Sequence, residues 1–505
     1  MLEIQKKLTN SFYAMLALPA TAVGFALSTQ IAALSWILNK KFGLNIHEVA
    51  FVWLAGPLAG IFGQVIVGMI SDNVWFLGGR RRPFIIVGGI VGSLMFLALP
   101  QIGVISEATG ITNIILIASV IALMLDLSVN VTFNPARSII ADLTPEGKKR
   151  TTGYVWMQVI SGTFGVLAYF LSMVFGNETL LFIAALFVLV CSVFPILFIQ
   201  ESKDLIQPTD ETVDAKNDSH SVLDIFKSIF PLYGFLVFGV FSLIFHFYQV
   251  ELRAIHNPLL ILSLVYTVGI GAWIIIKGKK SASNEIEFQK IMLAHTFTWI
   301  AFQSMFVMSG FFIDKQIVPN MDLSNVFANK FAEFLTSVTQ SKDATTGNIV
   351  SLGFLILNAV GAVFPFILSM IAKKIGRVNT YTIALSFSAI GYFYIAFLGK
   401  YEMNFYLGMF LAGIGWSAVI SIVFSIITER INQAKMGLFM GIFNLAVVLP
   451  QMMSNGVANI ISETGNYQLL YILCGVFICF SVVFWLFVKE PESTAKEIAN
   501  LKSGH

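Results

Sequence analysis

Asp126 and Arg137 sit inside the apolar run IALMLDLSVNVTFNPARSIIADL, where the neighbouring residues leave little room for water. An acid so placed can take up and release a proton, and a nearby guanidinium can bias that exchange. The same two charges can instead do no more than fix helix packing. Read as α-helix, the separation of about eleven residues gives ~16 Å of rise and close to three whole turns, so both lie on one face. Asn130 and Asn134 fall between them on that face. The four make a polar stripe on an otherwise apolar helix. Pro135 removes a backbone donor beside the stripe and predicts a bend. In hydrocarbon a charged side chain is costly, so the stripe must face a cavity or another helix, and ionisable groups there are functional by default. Desolvation opposes ionisation and a nearby cation favours it, so the distance to the Arg137 side chain matters to the acid's titration.

The elements that hold such a stripe are membrane helices. Of 505 residues, 57% are hydrophobic, 12% are charged and 47 are Phe, and the mean hydropathy is +0.81. This composition excludes a soluble domain and predicts an all-α polytopic membrane protein. Apolar segments at 12–39, 47–70, 83–102, 111–140, 152–175, 180–199, 227–249, 258–276, 290–313, 348–371, 379–398, 403–428, 436–461 and 467–488 predict about 14 spans. A net charge of +3 is too small for a nucleic-acid partner. Cys191, Cys474 and Cys479 all fall in apolar helices and read as small buried hydrophobes rather than disulfide or metal ligands. There is no nucleophile–base or metal-ligand constellation, so neither an enzyme, a metal site nor a cofactor is expected. The segment MLEIQKKLTN leads into a span too long for a signal peptide, which is expected to be retained.

Charge between spans sets orientation. With a cytoplasmic N-terminus, inner segments carry about three basic residues for every outer one, so both termini are expected to be cytoplasmic. The organisation follows as an N-terminal six-helix bundle (1–200), a polar cytoplasmic linker (201–226), an extra transmembrane hairpin (227–280), a C-terminal six-helix bundle (281–490) and a cytoplasmic tail (491–505). An inserted pair of spans leaves the orientation of the second half unchanged, and a 6+6 core is the layout of two-fold repeat transporters.

A weak internal repeat supports this layout. After the second span, GMISD (68–72) leads to GGRRRPF; in the second half, SMIAK (369–373) leads to KIGRVNT. The second copy keeps Gly376 and Arg377 but has Lys373 where the acid should be. Four segments, WLAGPLAG (53–60), VGMISD with GRRRPF (67–84), DLSVNVTFNPARSIIADL (126–143) and MGLFMGIFNLAVVLPQMMS (436–454), then carry a resemblance. Together they resemble the sucrose-transporter branch of the glycoside–pentoside–hexuronide:cation symporters, in the major facilitator superfamily. The resemblance implies the major facilitator fold, two six-helix bundles plus the inserted hairpin, and alternating access around a midplane site.

It also implies a proton-coupled symporter importing a disaccharide, sucrose or maltose in type, with the proton as coupling ion. Asp126 matches the family's protonatable acid and Arg137 its functional partner. Plant members carry an acidic pair at the outer end of the seventh core helix, where Ser309 and Phe311 stand here, leaving Asp126 as the only acid deep in a span. Residues 53–71 hold no acid for a melibiose-type sodium site. Candidates for sugar contact are Asn130, Asn134, Gln158, Trp299, Gln303, Asn444 and Gln451, with Gln30, Trp36 and Asn358 as further polar or aromatic groups within spans. Amides hydrogen-bond sugar hydroxyls and aromatic rings stack on a pyranose face, although an Asn or Gln in a membrane helix can equally bridge helices. Asp72 with Arg80, Arg81 and Arg82 forms a candidate inner gate; positive-inside anchoring accounts for the arginines equally well. His246 and His295 are expected to pack. The expected partners are a small sugar and the lipid bilayer, with the chain acting as a monomer in the cell membrane. A proton-coupled drug exporter of the same fold and a non-transporting sugar sensor are the alternatives.

Overall fold

A computed structural model of the chain describes residues 8–60, 63, 75–76, 78–144, 148–201, 229–247, 253–280, 283–320, 344–427, 429–430 and 436–490. Among them the secondary structure is helical apart from one isolated bridge, between Phe76 and Gly79. Against about 14 expected spans, 11 helices among the described residues are long and apolar enough to cross a membrane, and Ile46–Gly60, Phe230–Ile244 and Leu469–Trp485 are shorter apolar helices.

The chain forms two compact units, Met1–Ser219 with Phe327–Ser351 and His220–Val326 with Leu352–His505. The first holds α1 (Asn10–Lys40), α2 (Ile46–Val52), α3 (Arg82–Ala98), α4 (Ile102–Thr109), α5 (Ile114–Leu143), α6 (Lys148–Phe175) and α7 (Asn177–Leu197). The second holds α8 (Tyr233–Phe247), α9 (Arg253–Lys280), α10 (Asn284–Phe312), most of α11 (Ala344–Ile375), α12 (Arg377–Leu398), α13 (Glu402–Ile427), α14 (Met436–Gln451), α15 (Met453–Thr464) and α16 (Leu469–Trp485).

Local chemistry explains the boundaries. Thr9, Asn113 and Ser283 each accept a hydrogen bond from an amide of the first turn of α1, α5 and α10. Helix α2 stops early because Pro57 cannot donate to the Trp53 carbonyl; a turn at Trp53–Leu54 interrupts the helix and it resumes at Ala55. Helix α5 is continuous through Pro135. Gly176 and Gly376 take φ of 81° and 95°, values open to glycine, and make the one-residue joints α6–α7 and α11–α12.

In the first unit α1 packs along α6, α7 and α5, and α3 packs along α5 and α7. Small residues allow this: a methyl group on Gly88 of α3 would meet Thr132 and Ser128 of α5 at under 3 Å. Phe12, Leu16, Ile85, Ile139, Ile140 and Met157, drawn from α1, α3, α5 and α6, form one buried apolar cluster. In the second unit α12 packs along α13 and α16, and α10 along α16, α14 and α15. The hairpin α8–α9 lies on this unit, against α10, α14 and α15. The opposite side of α9 exposes Ile261, Leu262 and Val265, as a lipid-facing helix does.

Helix α10 begins six residues before the expected start, and its first turns are charged. Glu287 and Lys290 are both buried and pair at 2.7 Å. Lys290 Nζ also donates to the Phe487 carbonyl at 3.0 Å, and Glu287 Oε2 accepts from the Lys489 amide at 2.8 Å. This pair tethers the chain beyond α16 to α10, and each charge has a backbone partner besides the other.

Candidate functional site

The polar stripe on α5 is present, and its members have different surroundings. Asp126 is 6% exposed. Its Oδ2 accepts from Gln30 Nε2 of α1 at 3.0 Å. The segment after α2 also lies beside this carboxylate: a methyl group on Gly56 would stand 3.6 Å from the same oxygen, an ordinary contact distance. Asn130 turns back along its own helix and donates to the Asp126 carbonyl at 2.8 Å. Asn134 is partly buried. Arg137 is exposed, with its guanidinium carbon 3.9 Å from the centroid of the Phe133 ring, a cation–π geometry. Tyr154 of α6 donates to the Arg137 carbonyl at 3.3 Å. Among the described residues Asp126 and Arg137 form no ion pair with each other, as three turns of helix between them require. Gln158 of α6 is exposed, between Val155 and Val159, both more than half exposed.

Of the gate residues, Asp72 lies outside the described residues. The arginines are held at the start of α3. Glu201 accepts from the backbone amides of Arg80, Arg81 and Arg82 at 2.9–3.1 Å, and so caps a helix whose first amides have no internal partner. Arg80 Nη2 pairs with Asp142 of α5 at 2.8 Å and Arg81 Nε with the same carboxylate at 3.4 Å. The second unit repeats this. Glu490 accepts from the amides of Arg377 and Val378 at the start of α12, and Arg377 pairs with Glu429 at 2.5 Å. Glu490 and Glu429 thus stand in the second unit where Glu201 and Asp142 stand in the first.

In the second unit Trp299 and Gln303 lie one turn apart on α10. Trp299 Nε1 donates to His295 Nε2 at 2.8 Å. Its ring meets Trp416 of α13 edge-on, with centroids 5.9 Å apart. Phe302 and Phe306 also contact Trp416, and Phe354 of α11 contacts Phe306. Trp416 Nε1 donates to Asn358 Oδ1 at 3.3 Å. Gly361 makes room for this indole: a methyl group there would stand 2.9 Å from Trp416 Cδ1. Gln303 is buried, while Asn444 and Gln451 on α14 are partly buried.

Sequence reasoning missed Trp416, Asp142, Glu201, Glu429 and Glu490. It also treated Gln30 as one amide among many and His295 as packing. The signal for Glu201 and Glu490 was present in hindsight: FIQES and FVKEPES close the two halves in the same way. Among the described residues no group of three or more His, Cys, Asp or Glu side chains could hold a metal ion.

The sequence pattern of the Major Facilitator Superfamily matches residues 16–315 and 321–503. The sucrose transport protein SUC4 of Arabidopsis thaliana is 30% identical over 153 residues, which is 29% of this chain and 30% of that protein. The general alpha-glucoside permease of Schizosaccharomyces pombe is 31% identical over 137 residues, 26% of this chain and 25% of its own. The matched stretch therefore spans less than a third of either relative. The likeness to the sucrose-transporter branch drawn from the four motifs agrees with these relatives. A crystal structure of the nucleoside transporter NupG superposes with a TM-score of 0.62 at 13% identity, over 95% of this chain and 100% of that one; it establishes the fold alone.

Proposed function

The chain belongs to the major facilitator superfamily, and from that premise we propose that it is a proton-coupled symporter importing a disaccharide of the sucrose or maltose type, with Asp126 carrying the proton. The observation that supports this most is the partner of that carboxyl. Gln30 offers an amide rather than a cation. An amide serves both protonation states: its NH2 donates to a carboxylate, and its oxygen, after a flip, accepts from a carboxylic acid. Taking up a proton therefore strands no buried cation, which a salt-bridged acid would do. Arg137, at the far end of the stripe, acts as a fixed positive charge and not as the carboxyl's direct partner. The amides and indoles of the second unit suit sugar hydroxyls and an apolar pyranose face. The named relatives, a sucrose transport protein and an alpha-glucoside permease, favour the same class of substrate.

The distribution of basic residues supports cytoplasmic termini and a cytoplasmic Arg80–Arg82 loop, where the Asp142 and Glu201 contacts would work as an inner gate.

Asp126→Asn tests the assignment. It keeps volume and hydrogen bonding but fixes the group in a neutral form. The variant is expected to fold, bind and exchange sugar, and to lose sugar-induced proton uptake and accumulation against a gradient in proteoliposomes. Full proton-coupled accumulation by the variant would sink the role of Asp126. The cluster of Trp299, Phe302, Phe306, Phe354 and Trp416 favours one second reading, a proton-coupled exporter of aromatic compounds. Uptake of labelled sucrose and maltose by the wild type separates the two.

A further inference from the structure

His295 is 1% exposed in the middle of α10, and both of its ring nitrogens are engaged. An indole N–H can only donate, so the 2.8 Å bond from Trp299 makes His295 Nε2 the lone-pair nitrogen. The proton of the neutral imidazole then sits on Nδ1, 3.4 Å from the Tyr381 hydroxyl of α12. Phe443 of α14 stacks on the ring with centroids 4.8 Å apart. Three helices thus clamp the imidazole, and its remaining bond fixes the indole one turn further along α10. The oriented indole stands at 82° to the Trp416 ring, which is itself held by Asn358, Phe302 and Phe306. Both indoles remain only partly buried within their unit, and Gln303 follows one turn beyond Trp299.

We propose that His295 is a positioning residue for sugar recognition: it sets the rotation of the Trp299 indole, at nearly right angles to Trp416, so that the pair offers an indole face to the apolar side of a pyranose ring and a second indole as the wall beside it. The inference rests on the sugar-transport reading above. It narrows the substrate class to pyranosides, whose C–H face can lie on an indole while ring hydroxyls reach an amide such as that of Gln303.

The test uses the purified full chain in liposomes, as wild type, His295→Leu and His295→Gln. Ultraviolet resonance Raman difference spectra read the indole N–H hydrogen bond, and uptake of labelled sucrose and maltose gives KM and kcat. His295→Leu is expected to lose one strongly bonded indole signal and to raise KM about tenfold, the effect of losing one buried hydrogen bond, with kcat within about twofold. His295→Gln, whose amide oxygen can accept the indole proton, is expected to restore both readouts. Trp299→Phe keeps a ring but has no N–H. It is expected to give the same rise in KM, and it decides the matter if the leucine variant does not fold. An unchanged KM in His295→Leu and Trp299→Phe, with sugar uptake intact in the wild type, overturns the positioning role and leaves the transporter reading standing. A wild type that moves no sugar overturns both.

Discussion

Gln30 and Asp126 lie 96 residues apart in the chain and meet at 3.0 Å between α1 and α5. In a membrane helix such a bond contributes about 0.6–2 kcal/mol, too little to explain why an acid is kept there for packing. Gln30→Leu removes the donor while preserving bulk. The expected loss of stability is about 1–2 kcal/mol, read as a modest fall in the thermal midpoint of the detergent-solubilised protein. Gradient-driven accumulation is expected to fall much further than sugar exchange. A variant that accumulates sugar as well as the wild type would show that the amide is not the carboxyl's working partner.

Among elements, the two helices that follow Gly79 and Gly376 are capped in the same unusual way. Their first amides are satisfied by a glutamate from the end of a different helix, Glu201 for α3 and Glu490 for α12. Charge-assisted bonds to helix-terminal amides are stronger than neutral ones, and a negative charge there also suits the helix dipole. Gly376 is favoured at its joint by a φ of 95°, and at both positions a methyl group would displace the capping carboxylate, standing 2.5 Å from Glu201 Oε1 or 2.6 Å from Glu490 Oε2. Glu201→Ala and Glu490→Ala are each expected to cost about 2 kcal/mol, with the glutamine variants retaining part of the loss. Thermal unfolding of the four variants measures this. No change in the alanine variants would mean that water caps these helices equally well.

At the scale of the whole molecule, the inserted hairpin is part of the second unit and not a loose appendage. Met452 lies 2.4 Å from where a methyl group on Gly239 would stand, Leu260 and Phe238 lie under 3 Å from that position on Gly456, and Phe484 2.3 Å from that on Gly271. Asn257 of α9 donates to Glu463 of α15 at 2.6 Å, adding a polar contact at one end. Gly456→Leu is therefore expected to force α8–α9 off its seat, at a cost of about 1–3 kcal/mol for overpacking. Limited proteolysis between residues 220 and 285 is expected to quicken with it. An unaltered digestion pattern would show that the hairpin is held by lipid and not by these contacts.

The sequence by itself determined the class, the number of apolar segments and the polar stripe, because length, hydropathy and helical period are properties of a chain read locally. Asp126, Asn130 and Arg137 were legible for that reason, as were the arginine loop and its weak second copy at Gly376 and Arg377. Only the tertiary structure decided what each of these meets. Helical period shows that Asp126 faces inward but not that Gln30 faces it, nor that Asp142 and Glu201 receive the arginines. Only folding shows Glu287 and Lys290 buried against each other and the backbone beyond α16. His295 read as a polar residue to be hidden, yet its value lies in the Trp299 and Tyr381 contacts that hiding creates. Pairings between distant helices depend on which faces are brought together, and a periodicity carries no record of the partner.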